Sequence, residues 1–112
     1  MERSSLIKIR ERLEHEASEL RGAEAGTAGD RAPVELDQTS VGRLSRMDAL
    51  QQQAMAAAQS RRRAGRLKAI AAALKRIEDD EFGWCEECGE QIPDGRLNLD
   101  PCAQRCVACA AG

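Results

Sequence analysis

Aromatic side chains are almost absent from this 112-residue chain: one Phe, one Trp and no Tyr make up 2% of it. Those two, Phe82 and Trp84, stand side by side just before a cysteine pair. A large mixed core is therefore excluded over most of the length. There are three prolines and one histidine. His15 has no sequence neighbour that would make it a base or a ligand, so it reads as an exposed helix residue. Net charge is only −2, so no global positive field draws the chain to nucleic acid. No apolar run approaches the roughly 20 residues that span a bilayer. Met1-Glu-Arg-Ser-Ser is not followed by the apolar core of a secretion signal, which leads to the expectation of a cytoplasmic protein.

What the sequence does have is charge, alanine and cysteine. Charged residues are 32% of the chain, and alanine is frequent before the cysteines. That composition fits long exposed helices joined to a small module that needs help to fold.

The help is legible in Cys85-Glu-Glu-Cys88, a seventeen-residue spacer, then Cys106-Val-Ala-Cys109. Each Cys-x-x-Cys pair puts two thiolates on one tight turn. The spacer allows the turns to face each other and close four sulfurs around one ion, the tetrahedral set that zinc takes in structural sites. A redox pair would sit in a βαβ pattern, which is missing, and structural disulfides are rare in the cytosol. Gly89 after Cys88 permits the positive φ a metal knuckle needs. Ile92 and Leu97 supply a minimal apolar lid, and Pro93-Asp94-Gly95 reads as a chain-reversing turn. Cys102 is a fifth thiol close to the set: either a competing ligand or a bystander, the two Cys-x-x-Cys pairs being the more regular choice.

Residues 5–24 read as an amphipathic helix with Leu6, Ile9, Leu13, Ala17 and Leu20 on one stripe. Gly22, Gly26, Gly29 and Pro33 mark a connector over about 25–39. A long helix is expected over about 40–80. It carries two stripes, Leu44-Met47-Leu50-Ala54-Met55-Ala58 and Leu67-Ile70-Leu74-Ile77, whose phases do not join in a strict heptad. A change of register or a bend at Gly65 would reconcile them. The fold class is thus mainly α: a long antiparallel helical hairpin over 1–81, then a C4 zinc finger over 82–112. Glu78-Asp79-Asp80-Glu81 opposes the helix dipole, and Gly83 is expected to complete the stop. Phe82 and Trp84 are expected to seal the helix end onto the knuckle. With three residues after Cys109 in this sequence, no recognition helix for a DNA groove is expected behind the second knuckle.

These residues together resemble a known family. Glu78 through Gly89, then Ile92, Arg96-Leu97, Pro101 and Cys106-x-x-Cys109, are similar in order and spacing to the zinc finger of DksA/TraR proteins. The resemblance implies Cys85, Cys88, Cys106 and Cys109 as ligands of one structural zinc ion. It implies a bacterial regulator that binds RNA polymerase directly rather than DNA, with its coiled coil in the secondary channel and a link to guanosine tetraphosphate. The family's Asp-x-x-Asp-x-Ala tip motif has no counterpart of that spacing here. Asp48-Ala49 is the nearest local match, with Asp37 and Glu35 as outer candidates. A monomer is expected. The competing reading is a zinc-stabilised nucleic-acid- or protein-binding module that uses the basic face Arg61-Arg62-Arg63, Arg66 and Lys68. An enzyme is not expected, because four thiolates close a zinc site that catalysis would need open.

Overall fold

The structure, a computed structural model, describes residues 1–27 and 43–111. Four helices account for most of them: α1 (Arg3–Thr27), α2 (Arg43–Glu78), α3 (Asp94–Leu99) and α4 (Val107–Ala111). No strand forms among the described residues, and one isolated antiparallel bridge joins Trp84 to Gln91. The chain divides into two compact units, Met1–Ser18 with Leu67–Gly112, and Glu19–Arg66.

In the first unit the early turns of α1 and the late turns of α2 share a core. Ile9, Leu13 and Ala17 are buried on α1, and Ile70, Ala73 and Ile77 on α2. Steps of three and four residues place each trio on one stripe, which is why the two helices bury these faces together. Each large side chain removed from water there contributes about 1.5–3 kcal/mol. Ala73, fully buried, allows close approach and flanks the stripe expected from Leu67, Ile70, Leu74 and Ile77. The pairing is antiparallel: Arg3 and Leu6 line one groove with Ile77 and Glu78.

In the second unit Glu24 of α1 joins α2. It accepts hydrogen bonds from Ser60 Oγ (2.7 Å) and Arg63 Nε (2.9 Å). The helix expected over 5–24 runs on as α1 to Thr27, through Gly22 and Gly26. A Cβ added at either glycine would meet nothing within 4 Å and neither has a positive φ, so each costs the helix only about 1 kcal/mol.

The register change expected near Gly65 does not occur. α2 is one unbroken helix through that residue. At 3.6 residues per turn, the buried face of Ile70 and Ala73 continues backwards through Arg66, Arg63, Ala56 and Ala49, all partly shielded. Met47 and Leu50 of the upstream stripe therefore fall on the opposite side, whereas Met55 stands five turns before Ala73 on the same side. Met47, Leu50 and Met55 are 61%, 49% and 58% exposed.

The end of α2 also differs from expectation. Asp80 takes φ 58°, its N–H bonds Ile77 O, and Glu81 N–H bonds Arg76 O at 2.8 Å. This is a Schellman stop with Asp in the left-handed position, a conformation Asp tolerates better than most residues. Gly83 (φ 94°) acts three residues later, inside the finger.

Candidate metal centre

The first knuckle is a miniature hairpin. Cys85 N–H bonds Glu90 O (2.8 Å) and Ile92 N–H bonds Gly83 O (2.7 Å), flanking the Trp84–Gln91 bridge. The reversal runs through Gly89 at φ 73°, with Gly89 N–H bonded to Cys85 O at 3.0 Å. That positive φ is the one the sequence required of a glycine at this place. Gly83 lies where an added Cβ would come 3.6 Å from Leu97 Cδ1.

The spacer is helical where a plain turn was expected. Pro93 caps α3 with φ −56° and ψ 140°, and its carbonyl accepts from Leu97 N–H at 3.2 Å. Proline has no N–H to satisfy, so it suits a position just before a helix, and Asp94 favours the first turn. α3 turns Leu97 inward, 1% exposed, onto a floor that includes Ile92 (1%), Phe82 (9%) and Pro101. Trp84 departs from expectation: it is 51% exposed and seals nothing, because the hairpin alternation that buries Cys85 turns its neighbour outward. The second knuckle opens α4, whose Ala110 N–H bonds Cys106 O at 2.9 Å.

These elements bring Cys85, Cys88, Cys106 and Cys109 together. One Sγ from each lies within 4.8 Å of the others. Cys88 and Cys106 Sγ are 3.7 Å apart. A zinc ion bound to sulfur at about 2.3 Å has S···S edges of about 3.8 Å, so the spacing fits the ion. No disulfide links any of the five cysteines.

Local dipoles prepare Cys85 for a cation. The backbone N–H groups of Cys88, Cys106 and Glu87 point at the Cys85 sulfur and bring its pKa down to about 6. Glu90 N–H pulls the Cys88 thiol the same way, but the crowding sulfurs of Cys85 and Cys106, with burial, outweigh it and its pKa rises. The Cys109 thiol is pushed up by the sulfurs of Cys106, Cys85 and Cys88. Negative charge gathered on four close sulfurs is what a divalent cation relieves.

Cys102 stands outside this cluster. It is 8% exposed in the finger floor, and its N–H bonds Asp100 Oδ1 at 3.0 Å. Two groups of contacts around the finger were not legible in the sequence. Arg12 of α1 donates to the carbonyls of Asn98 and Leu99, capping the end of α3. Arg105 bonds Glu86 and Glu87, and Gln104 bridges Glu86 to Arg76. Of the tip candidates, Asp48 is exposed and Ala49 half-buried, both in the opening turns of α2. Asp37 and Glu35 lie outside the described residues. Of the basic run, Arg61 and Arg62 are exposed, whereas Arg63 is only 16% exposed and pairs with Glu24.

Comparison with known proteins places this geometry. Residues 80–112 match the prokaryotic dksA/traR C4-type zinc finger. Over 43 residues the chain is 44% identical to the RNA polymerase-binding transcription factors DksA of Escherichia coli (strain K12) and Salmonella typhimurium. That stretch is 38% of this chain and 28% of each relative's length. An uncharacterised protein of Aquifex aeolicus is 46% identical over 44 residues, 39% of this chain and 30% of its own length. The fold of the whole chain is similar to that of transcription factor DksA2 from Pseudomonas aeruginosa, with a TM-score of 0.81. That likeness covers 99% of this chain and 84% of the other at 24% identity. The chain thus has a fold similar to that of DksA2, and its residues 80–112 are similar to the dksA/traR C4-type zinc finger.

Proposed function

We propose that the protein is a zinc-stabilised transcription regulator that binds RNA polymerase directly and does not read DNA sequence. The observation that carries this reading is the 44% identity over 43 residues to factors named for polymerase binding. In it, Cys85, Cys88, Cys106 and Cys109 hold one structural zinc ion, and the four-sulfur spacing supports that assignment. A site closed by four thiolates leaves no position for substrate, which supports a regulator over an enzyme.

The finer reading places the helical hairpin in the polymerase secondary channel, as a monomer in the bacterial cytoplasm, with Asp48, Ala49 and Asp37 at the tip. Carboxylates there would act on a magnesium-dependent site or its basic surroundings. Guanosine tetraphosphate enters as a co-effector of the polymerase complex, and no residue of this chain is assigned to it. No helix among the described residues is long and apolar enough to cross a membrane. The alternative, a nucleic-acid-binding module on the basic face of α2, is weakened because Arg63 is turned onto Glu24.

The test is a photoreactive residue at position 48, cross-linked in the presence of purified polymerase, alongside transcription in vitro. The expected outcome is a polymerase adduct competed away by a secondary-channel binder, with no shift of promoter DNA by the protein alone. No adduct and no effect on transcription at saturating protein would refute it.

A further inference from the structure

We infer that Arg105 is a positioning residue of the metal centre, an electrostatic latch that joins the two knuckles and slows zinc loss. The inference rests on the assignment of zinc to the four cysteines.

Glu86 and Glu87 lie between Cys85 and Cys88, and Arg105 directly precedes Cys106, the third of the four clustered cysteines. Arg105 Nε stands 3.2 Å from Glu86 Oε1 and 3.3 Å from Glu87 Oε1, so one guanidinium spans both carboxylates. The backbone repeats the link, with Glu86 N–H donating to Gln104 O at 2.8 Å. Arg105 is itself held from α3, since Arg96 Nε donates to its carbonyl at 2.8 Å. With its amide turned so that oxygen and nitrogen each meet a complementary group, Gln104 adds a third tie, donating to Glu86 Oε2 (3.1 Å) while accepting from Arg76 Nη1 (3.2 Å). No ligand cysteine is needed for any of these contacts.

Charge explains why the latch matters. Four thiolates around a divalent ion leave the centre with two net negative charges. Glu86 and Glu87 would add two more alongside it. Arg105 offsets part of that accumulation, and the Cys109 sulfur also lies within its field. Without the cation, the carboxylates repel the thiolates of the opposite knuckle and favour opening of the site. Both partners are about half exposed (49% and 48%), so screening limits the effect. A change in zinc retention of about three- to five-fold is expected at low salt.

The test measures the rate of zinc transfer from full-length protein to a chromogenic chelator. The variants are Arg105→Gln and Arg105→Lys, each also placed in a Glu86→Gln/Glu87→Gln background. Arg105→Gln is expected to release zinc about three- to five-fold faster at 20 mM salt, with Arg105→Lys in between and the difference closing at 1 M salt. In the double-glutamine background the Arg105→Gln effect should shrink below two-fold. Equal release rates at low salt overturn the inference. A difference that persists at 1 M salt or in the double-glutamine background also overturns it, because packing alone would then account for the effect. Wild-type protein that takes up no zinc removes the metal assignment itself, and the latch with it.

Discussion

Stripping the metal from the protein should open the finger while leaving the two long helices in place. The reasoning starts from where the helical residues are. α3 and α4 hold six and five of them, against 25 and 36 in α1 and α2. If only the short helices melt, the far-ultraviolet helical signal should fall by roughly 15%, in proportion to those lengths. The finger floor has Phe82, Ile92, Leu97 and Pro101 as its large buried side chains. At about 1.5–3 kcal/mol each, their burial totals about 6–12 kcal/mol, comparable to the roughly 10–16 kcal/mol that a structural zinc ion contributes and too little to offset its loss on top of the entropy of ordering the finger. The finger should therefore not survive chelation. By contrast, α1 and α2 keep Ile9, Leu13, Ala17, Ile70, Ala73 and Ile77 facing one another without the metal. Trp84 supplies a second signal, because its bridge to Gln91 closes the first knuckle and its emission should shift when the knuckle opens. The assay is circular dichroism at 222 nm with tryptophan fluorescence during chelation and zinc re-addition. Loss of more than half the helical signal would refute the independence of the helices. No change in either signal would refute the role of the four sulfurs.

Leu13→Ala removes a side chain that is 1% exposed and should cost about 2–5 kcal/mol, read as a lower denaturation midpoint at unchanged slope; a cost below 1 kcal/mol would mean the site is not packed. Gly89→Ala meets no atom within 4 Å but must hold φ 73°, so a loss of about 1–2 kcal/mol is expected, with weaker zinc retention as the readout. Gly65→Ala, in open space within α2 and without positive φ, should instead gain about 0.5–1 kcal/mol in the same unfolding assay. Arg12→Ala removes the cap on α3 and should speed amide exchange in α3 more than in the middle of α2; equal protection would deny the cap a role.

The finger was legible in the sequence because its signals are local. Two cysteine pairs, one glycine after the first pair and two buried aliphatics are each set by short spacing, and each reappears in the structure. The stripe of α1 was legible for the same reason, since Ile9, Leu13 and Ala17 follow one period. What escaped was set at longer range. Met47, Leu50 and Met55 are exposed because burial depends on which helix face finds a partner, and spacing along one helix does not encode that. A local count of apolar spacing finds a stripe but not the side it faces. The contacts of Glu24 with Ser60 and Arg63 join residues 36 and 39 positions apart, so they depend on the register of two helices. The Asp80 stop escaped because a glycine nearby offered the commoner solution.

The outward side of α2 has a practical consequence. The chain has three methionines, and Met47 and Met55 are two of them, displayed on the opening half of that helix. Isotope labelling of methionine methyl groups would therefore place two reporters next to Asp48 with no substitution at all. Titrating polymerase into such a sample would read the approach of the larger molecule directly from native atoms.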